Sequence, residues 1–290
     1  MSYWAQARRP RLDDEEAARV ARAGVPAWRV AYWELQRDLT RDFVLPLLEE
    51  HGALPREGRI LEVGAGEAGC LAALVGESGL EGHALELSPE RADIARALDS
   101  ALGGGRVQMK TGDVTDAASL AALTPPYRLI LLRDVIEHIE ARARALQNLV
   151  SLLDDGGHIL FTFPPYFSPF GAHQQLLRRR LLKLPWLQLS PLFLPLVRAL
   201  EPDGEWRNEI ETLRRCSLTV HRFERDLARL PVDVIVRRHY LLRPVFRYRY
   251  GLPSIEASLL SRLPLVRELC ITGSWYLVKK RRAERREGTR

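Results

Sequence analysis

Cysteine is scarce in this sequence, with only Cys70, Cys216 and Cys270 in 290 residues and no C-x-x-C pair or His-Cys cluster. That excludes a disulfide framework and a thiolate zinc site, and it fits a reducing compartment. Lysine is also scarce, four against 39 arginines, so a single arginine is weak evidence of a binding site. No apolar run of signal-peptide type opens the chain, where Met1 to Gln6 is followed by Arg8-Arg9-Pro10. The expected location is the cytoplasm. Wholesale disorder is excluded by a composition of 46% hydrophobic and 28% charged residues. A chain of this length can bury one large core, or one core plus a sizeable insertion.

The net charge of +6 hides an asymmetry. Residues 1–165 carry 18 basic and 25 acidic side chains, residues 166–278 carry 18 and 10, and residues 279–290 carry 7 and 2. The basic half suits an anionic or membrane-borne substrate without demanding one.

Along the middle of the chain, short β-rich runs alternate with helical stretches, the pattern of a parallel sheet covered on both faces. Strands are expected at Arg59–Val63, His83–Leu87, Arg106–Lys110, Tyr127–Leu132 and His158–Phe163. Ser88-Pro89 reads as an N-cap followed by proline at the first helical position. The expected division is a helical cap over 1–52, a ligand-binding core over 53–163, an insertion or lid over 164–215, and completion of the sheet over 216–278. A basic tail, expected to be disordered, covers 279–290. No internal repeat is visible.

Glu62-Val63-Gly64-Ala65-Gly66-Glu67-Ala68-Gly69 places glycines at a strand-to-helix turn, where unusual backbone angles and close approach of a ligand favour them. A G-x-G-x-x-G run alone fits a dinucleotide as well. Three acids narrow the choice. Glu62 stands where a carboxylate meets an ammonium, Glu86 where it accepts ribose hydroxyls, and Asp113 where it meets an adenine amino group. A phosphate-free ligand with an amino acid, a ribose and an adenine accounts for all three, whereas a pyrophosphate would be repelled by Glu62 and Glu67.

The segments LEVGAGEAG, HALELSPERADIA, TGDV, LLRDVIEHI and LLDDGGHILFTFP, in this order, resemble the S-adenosylmethionine-binding core of class I methyltransferases, in particular the small-molecule and ubiquinone-biosynthesis-like branch. The resemblance implies an α/β Rossmann-like fold, a doubly wound, seven-stranded, mostly parallel sheet with the helical cap and an insertion after the fifth strand. It implies S-adenosyl-L-methionine as cofactor. Glu62, Gly64, Ala65 and Gly66 would hold its methionine end, Glu86 and Leu87 the ribose, and Asp113 with Val114 the adenine. Arg133 and Asp134 would line the pocket near the methyl group. Phe163-Pro164-Pro165-Tyr166 is a false match to the N-P-P-Y signature of amino methylation, because it follows the fifth strand and lacks the asparagine. Nucleic acid is therefore not an expected partner.

Methyl transfer to oxygen calls for positioning and a base. His138, after the fourth strand, and His173, in the loop Tyr166–Gln174 after the fifth, are the candidate catalytic bases, with Asp134 to orient either. Aromatic residues, a serine and a histidine in that loop suit an organic acceptor. No metal is expected, since no carboxylate and histidine cluster is visible near the pocket. Leu176–Leu200 admits two readings, an interfacial element with arginines on lipid phosphates or an apolar lid and homodimer surface. Its prolines and charges argue against a spanning helix. Trp28, Tyr32 and Trp33, on a helix before the first strand, either cap the cofactor or pack in the core. The expected function is O-methylation of a small or lipid-linked acceptor, the rivals being a non-catalytic cofactor-binding scaffold and an NAD-dependent oxidoreductase.

Overall fold

The computed structural model describes residues 10–201 and 204–282. Its centre is one sheet with the order β3-β2-β1-β4-β5-β8-β6-β7. The strands are β1 Arg59–Val63, β2 Glu81–Glu86, β3 Val107–Thr111, β4 Tyr127–Arg133, β5 Leu153–Phe163, β6 Val232–Leu242, β7 Ile255–Glu256 and β8 Gly273–Lys280. The first five run parallel, β8 returns antiparallel beside β5, and β6, antiparallel to β8, resumes the direction of the first five. The reversal of order between β1 and β4 puts the switch point of a doubly wound sheet beside the glycine turn. The two-residue β7 on the outer edge of β6 adds an eighth strand to the seven expected.

Burial explains the strand choice. Leu129 to Leu132 of β4 are fully buried, as a central parallel strand covered on both faces requires. One apolar cluster lies under the helices Leu45–Glu50 and Gly69–Ser78, and a second under Arg142–Leu152 and Val220–Leu227. The helix after β2 begins as its sequence indicates, with Ser88 Oγ accepting the Arg91 amide and Pro89 at the first position.

β2, β3 and β4 differ from expectation by one or two residues at their ends, and β5 and the tail differ for physical reasons. β5 starts at Leu153 rather than His158, because Gly156 takes φ +76° and lets the ladder shift register against β4 instead of ending it. The terminal tail begins later than residue 279. Lys279 pairs with His158, and Lys280 pairs with Val232 and donates from Nζ to the Leu153 carbonyl at 2.6 Å. Residues 283–290 of that tail lie outside the described residues.

The N-terminal helices Asp14–Arg22, Ala27–Leu39 and Leu45–Glu50 flank the glycine turn, the last two joined through one wider π turn at Thr40–Val44. Trp33 is buried in this packing, whereas Trp28 is half-buried under the guanidinium of Arg29. Residues 164–201 and 204–215 pack around an apolar cluster of their own that includes Tyr166, Phe193 and Ile210. Among the described residues, no helix is long and apolar enough to cross a membrane.

Candidate functional site

Because β1 to β5 run parallel, their carboxyl ends share one rim of the sheet. Glu62, Glu86, Asp113 and Asp134 come to this rim from four adjacent strands. Gly64 and Gly66 turn the chain there with φ +67° and +58°. A Cβ on Gly64 would lie 2.9 Å from Val135 Cγ1 and closer still to Cγ2, so the turn tolerates no side chain.

The Gly66 amide donates to Glu86 Oε2 at 2.7 Å, and the Ser88 amide donates to Oε1 at 3.0 Å. Glu86 is thus fixed with one lone pair of each oxygen used, while neighbouring Leu87 is 68% exposed. Glu62 is buried, and its Oε2 accepts the Leu71 amide at 2.9 Å. Burial pushes its carboxyl up to about 7 against the opposing pull of Arg133. Its first partner is therefore a helix terminus and not an open cleft. Asp113 Oδ1 accepts from both the amide and the hydroxyl of Thr115, which leaves Oδ2 for other partners. Val114 points into the core, with its carbonyl accepting from Asn148. Ala65 is buried in the turn. Arg133 lies between Glu62 and the Thr40 hydroxyl, 3.4 Å from the latter.

This cradle suits S-adenosylmethionine better than a dinucleotide. The first turn of the helix Gly69–Ser78 would be the seat of a pyrophosphate, but two of its amides are engaged by side chains. Leu71 donates to Glu62, and Gly69 donates to Gln36 Oε1 at 3.2 Å. Carboxylates at the rim match the hydroxyl and amino groups of an adenosyl amino acid and repel phosphate.

At the end of β4, Asp134 has φ +53°. It pairs with Arg243 at 3.1 Å and accepts from the Thr162 hydroxyl at 3.2 Å. Desolvation would raise its carboxyl, but Arg243 and Arg133 outweigh that and hold it below the ordinary range. Asp134 is thus committed to Arg243, and the residue that orients a histidine is Glu209. His173 Nδ1 donates to Glu209 Oε1 at 2.7 Å, which corrects the role expected of Asp134. Burial works against ionised Glu209, yet this bond holds its carboxyl below the usual value.

His138 and His173, 35 residues apart in the chain, have ring centroids 5.3 Å apart. Burial, reinforced by His173, pushes His138 down to about 4. Glu137 lies beside them, 2% exposed, its Oε1 3.9 Å from His138 Nε2. Desolvation, followed by the charge of Asp134, raises its carboxyl well above the usual range. The expectation that no carboxylate and histidine cluster lies near the pocket is therefore corrected. Glu137, His138 and His173 offer ligand atoms all within 4.8 Å of one another. The loop after β5 also differs in part from expectation. Tyr166, Ser168 and Gln174 are buried in the packing of the insertion, which leaves His173 as its site-facing polar group.

Sequence reasoning missed Gln36, Arg243 and Glu209, and it gave Glu67 only as a charge repelling a pyrophosphate, whereas that charge is taken up by two arginines. Glu67 is fully buried between Arg29 and Arg91, with Arg91 Nη2 at 3.2 Å, and so ties the N-terminal helices to the glycine turn. Only Glu67 lay in a quoted motif, and nothing in its spacing named its partners. A polar cleft beside this rim is lined by Tyr32, Arg133, Asp134, Thr162, Arg243 and Trp275. A larger cavity of about 320 Å³ lies at the opposite edge of the sheet, near Val232 and Arg281, away from these groups.

Residues 32–209 match the family model described as a methyltransferase domain. No curated protein matches the sequence. Among solved structures, the chain is similar to a protein named as a sarcosine dimethylglycine methyltransferase from Galdieria sulphuraria, with TM-score 0.53 and 14% identity over 83% of this chain and 84% of that one. It is also similar to geranyl diphosphate C-methyltransferase from Streptomyces coelicolor A3(2), solved with Mg2+, geranyl diphosphate and S-adenosyl-L-homocysteine. That comparison gives TM-score 0.52 and 11% identity over 92% and 84% of the two chains. At such identities the likeness is one of fold.

Proposed function

The chain belongs to the methyltransferase family, and on that premise we propose that it uses S-adenosylmethionine to methylate an oxygen of a small or lipid-linked organic acceptor. The cofactor supplies a methyl group on a sulfonium, already a good leaving group, so the chain's own residues position the acceptor and remove its proton. We assign the cofactor to the rim formed by Glu62, Gly64, Ala65, Gly66, Glu86, Leu87, Asp113, Val114 and Arg133. Glu86 and the glycine turn carry most of that assignment.

The observation that carries the oxygen assignment is the histidine pair beside Asp134. His173, held by Glu209 through Nδ1, presents Nε2 as the atom to take a hydroxyl proton, with His138 alongside. A placed base contributes roughly 10²–10⁴ in rate, and nitrogen or activated carbon acceptors have less need of one. The test is incubation of the chain with methyl-labelled cofactor and a small-molecule extract, with His173→Ala in parallel. Label recovered as an ether or ester, and lost with the variant, supports the reading. Label found only on nitrogen or carbon contradicts it.

A second feature bears on where the acceptor resides. In the basic insertion, Leu181, Leu184, Trp186, Leu189 and Leu192 are exposed by 41% to 64%. An apolar patch next to arginines suits a bilayer surface, which would bring the site to a membrane-borne acceptor. Flotation with anionic vesicles tests this, and retention in the soluble fraction would instead favour a lid or a contact between two copies of the chain.

A further inference from the structure

We infer that the end of β4 is a divalent-cation site, with Glu137, His138 and His173 as ligands and Glu209 as the residue that orients His173. The inference rests on the proposed function only for its place beside the transferred methyl, because cation binding itself is measured without acceptor. Two imidazoles and one carboxylate converge with ligand atoms within 4.8 Å of one another. Three ligands at about 2.1 Å from one ion lie ~3.4–3.6 Å from one another, so closing on an ion asks each ligand atom to move inward by at most ~0.7 Å.

A second, independent observation points the same way. Glu137 is 2% exposed, and neither of its carboxylate oxygens has a hydrogen-bond partner among the described residues. A buried carboxylate with both oxygens unsatisfied is costly, and a cation is the partner that satisfies it. Nε2 of His173 is likewise buried without a hydrogen-bond partner, while its Nδ1 donates to Glu209 at 2.7 Å. A carboxylate on one ring nitrogen fixes the tautomer and turns the other nitrogen toward a metal. His173 itself sits at φ +55°, a left-handed conformation that a histidine adopts at a cost and that marks functional positions.

The donor set favours a first-row transition ion such as Zn2+, Mn2+, Fe2+ or Co2+ over the all-oxygen cages of Ca2+ and Mg2+. Three protein ligands leave coordination positions open on the acceptor side. A cation there supplies Lewis acidity toward an acceptor hydroxyl. With His138 and His173 on the ion, a hydroxyl bound beside them would be acidified and would release its proton to solvent, so the loaded site and the metal-free Nε2 base are two alternative forms of the same acceptor-side site.

The test is equilibrium dialysis of the chelator-treated full chain against Zn2+ and against Mn2+, with bound metal read by elemental analysis. One ion per chain is expected, with affinity about 10–100-fold weaker in Glu209→Gln and stoichiometric binding lost in both Glu137→Gln and His173→Ala. Circular dichroism verifies folding, and His173→Ala decides the matter should Glu137→Gln fail to fold. A wild-type chain that takes up neither ion, or a His173→Ala chain that binds as well as wild type, overturns the inference. S-adenosylhomocysteine is titrated into the same metal-free sample. If it binds while the ions do not, the cation site alone fails; if it does not bind, the assignment of the cofactor rim fails separately.

Discussion

The Glu86 carboxylate accepts the Gly66 amide at 2.7 Å, so the end of β2 is fastened to the glycine turn that follows β1. The bond lies beside the switch point of the sheet and fixes the turn before any ligand arrives. A carboxylate so held has oriented lone pairs left over, which is how a preorganised site gains affinity without an ordering cost.

Replacing that carboxylate gives the first prediction. In Glu86→Ala, S-adenosylhomocysteine affinity falls by at least ~10-fold, consistent with the ~1.5–3 kcal/mol of charge-assisted hydrogen bonds. The melting temperature also falls, because the Gly66 and Ser88 amides lose their acceptor. Calorimetric titration and thermal melts read the two effects separately.

Gly64→Ala places a methyl group against Val135 in a left-handed backbone conformation. The conformation alone costs ~1–2 kcal/mol, and the displaced turn should lose cofactor affinity as well. Adding Val135→Ala removes both Cγ atoms and should recover part of the stability but not the backbone share. Equal stability of all three chains in denaturant melts would count against the tight turn.

Glu67, fully buried, neutralises Arg29 and Arg91. Removing the carboxylate leaves Arg29, 14% exposed, with only the exposed Glu90 at 3.5 Å as partner and Arg91 open to solvent, a cost below the ~3–5 kcal/mol of breaking a fully buried pair. Glu67→Ala is therefore expected to loosen the helix Ala27–Leu39 from the glycine turn, read by hydrogen exchange in that helix. Unchanged protection there would show that the ion triad does not anchor it.

His239 is buried, with Nδ1 3.1 Å from the Ser274 hydroxyl, and burial pushes its pKa down to about 4. Its ordinary value is ~6.5, so as pH falls below ~6.5 the unfolded chain takes up a proton that the folded chain refuses until about 4. The stability due to this group is complete above ~6.5 and is lost between there and about 4, on the order of 2–3 kcal/mol. His239→Gln should flatten this part of the stability–pH curve. A variant with the same acid sensitivity as wild type would contradict the assignment.

The sheet was legible because burial imposes a local pattern. The apolar run of β4 and the Ser88-Pro89 start of the following helix are both written in adjacent residues. The rim acids were legible for the same reason, since a strand end followed by glycine or proline is a local signal. The partners were not. Gln36 reaches Gly69 across 33 residues, and His173 reaches Glu209 across 36, distances at which spacing says nothing. Both histidines were visible one by one, yet their juxtaposition with Glu137 depends on how the insertion folds back over β4. Glu62 also meets a nearer demand that its spacing did not reveal, an unsatisfied amide at the start of the next helix.

The most direct test of the central claim is a titration of the wild-type chain with S-adenosylhomocysteine and, separately, with NAD. One molecule of S-adenosylhomocysteine per chain, raising the melting temperature and failing to do so in Glu86→Ala, is the predicted result. Stabilisation by NAD with no response to S-adenosylhomocysteine would contradict it.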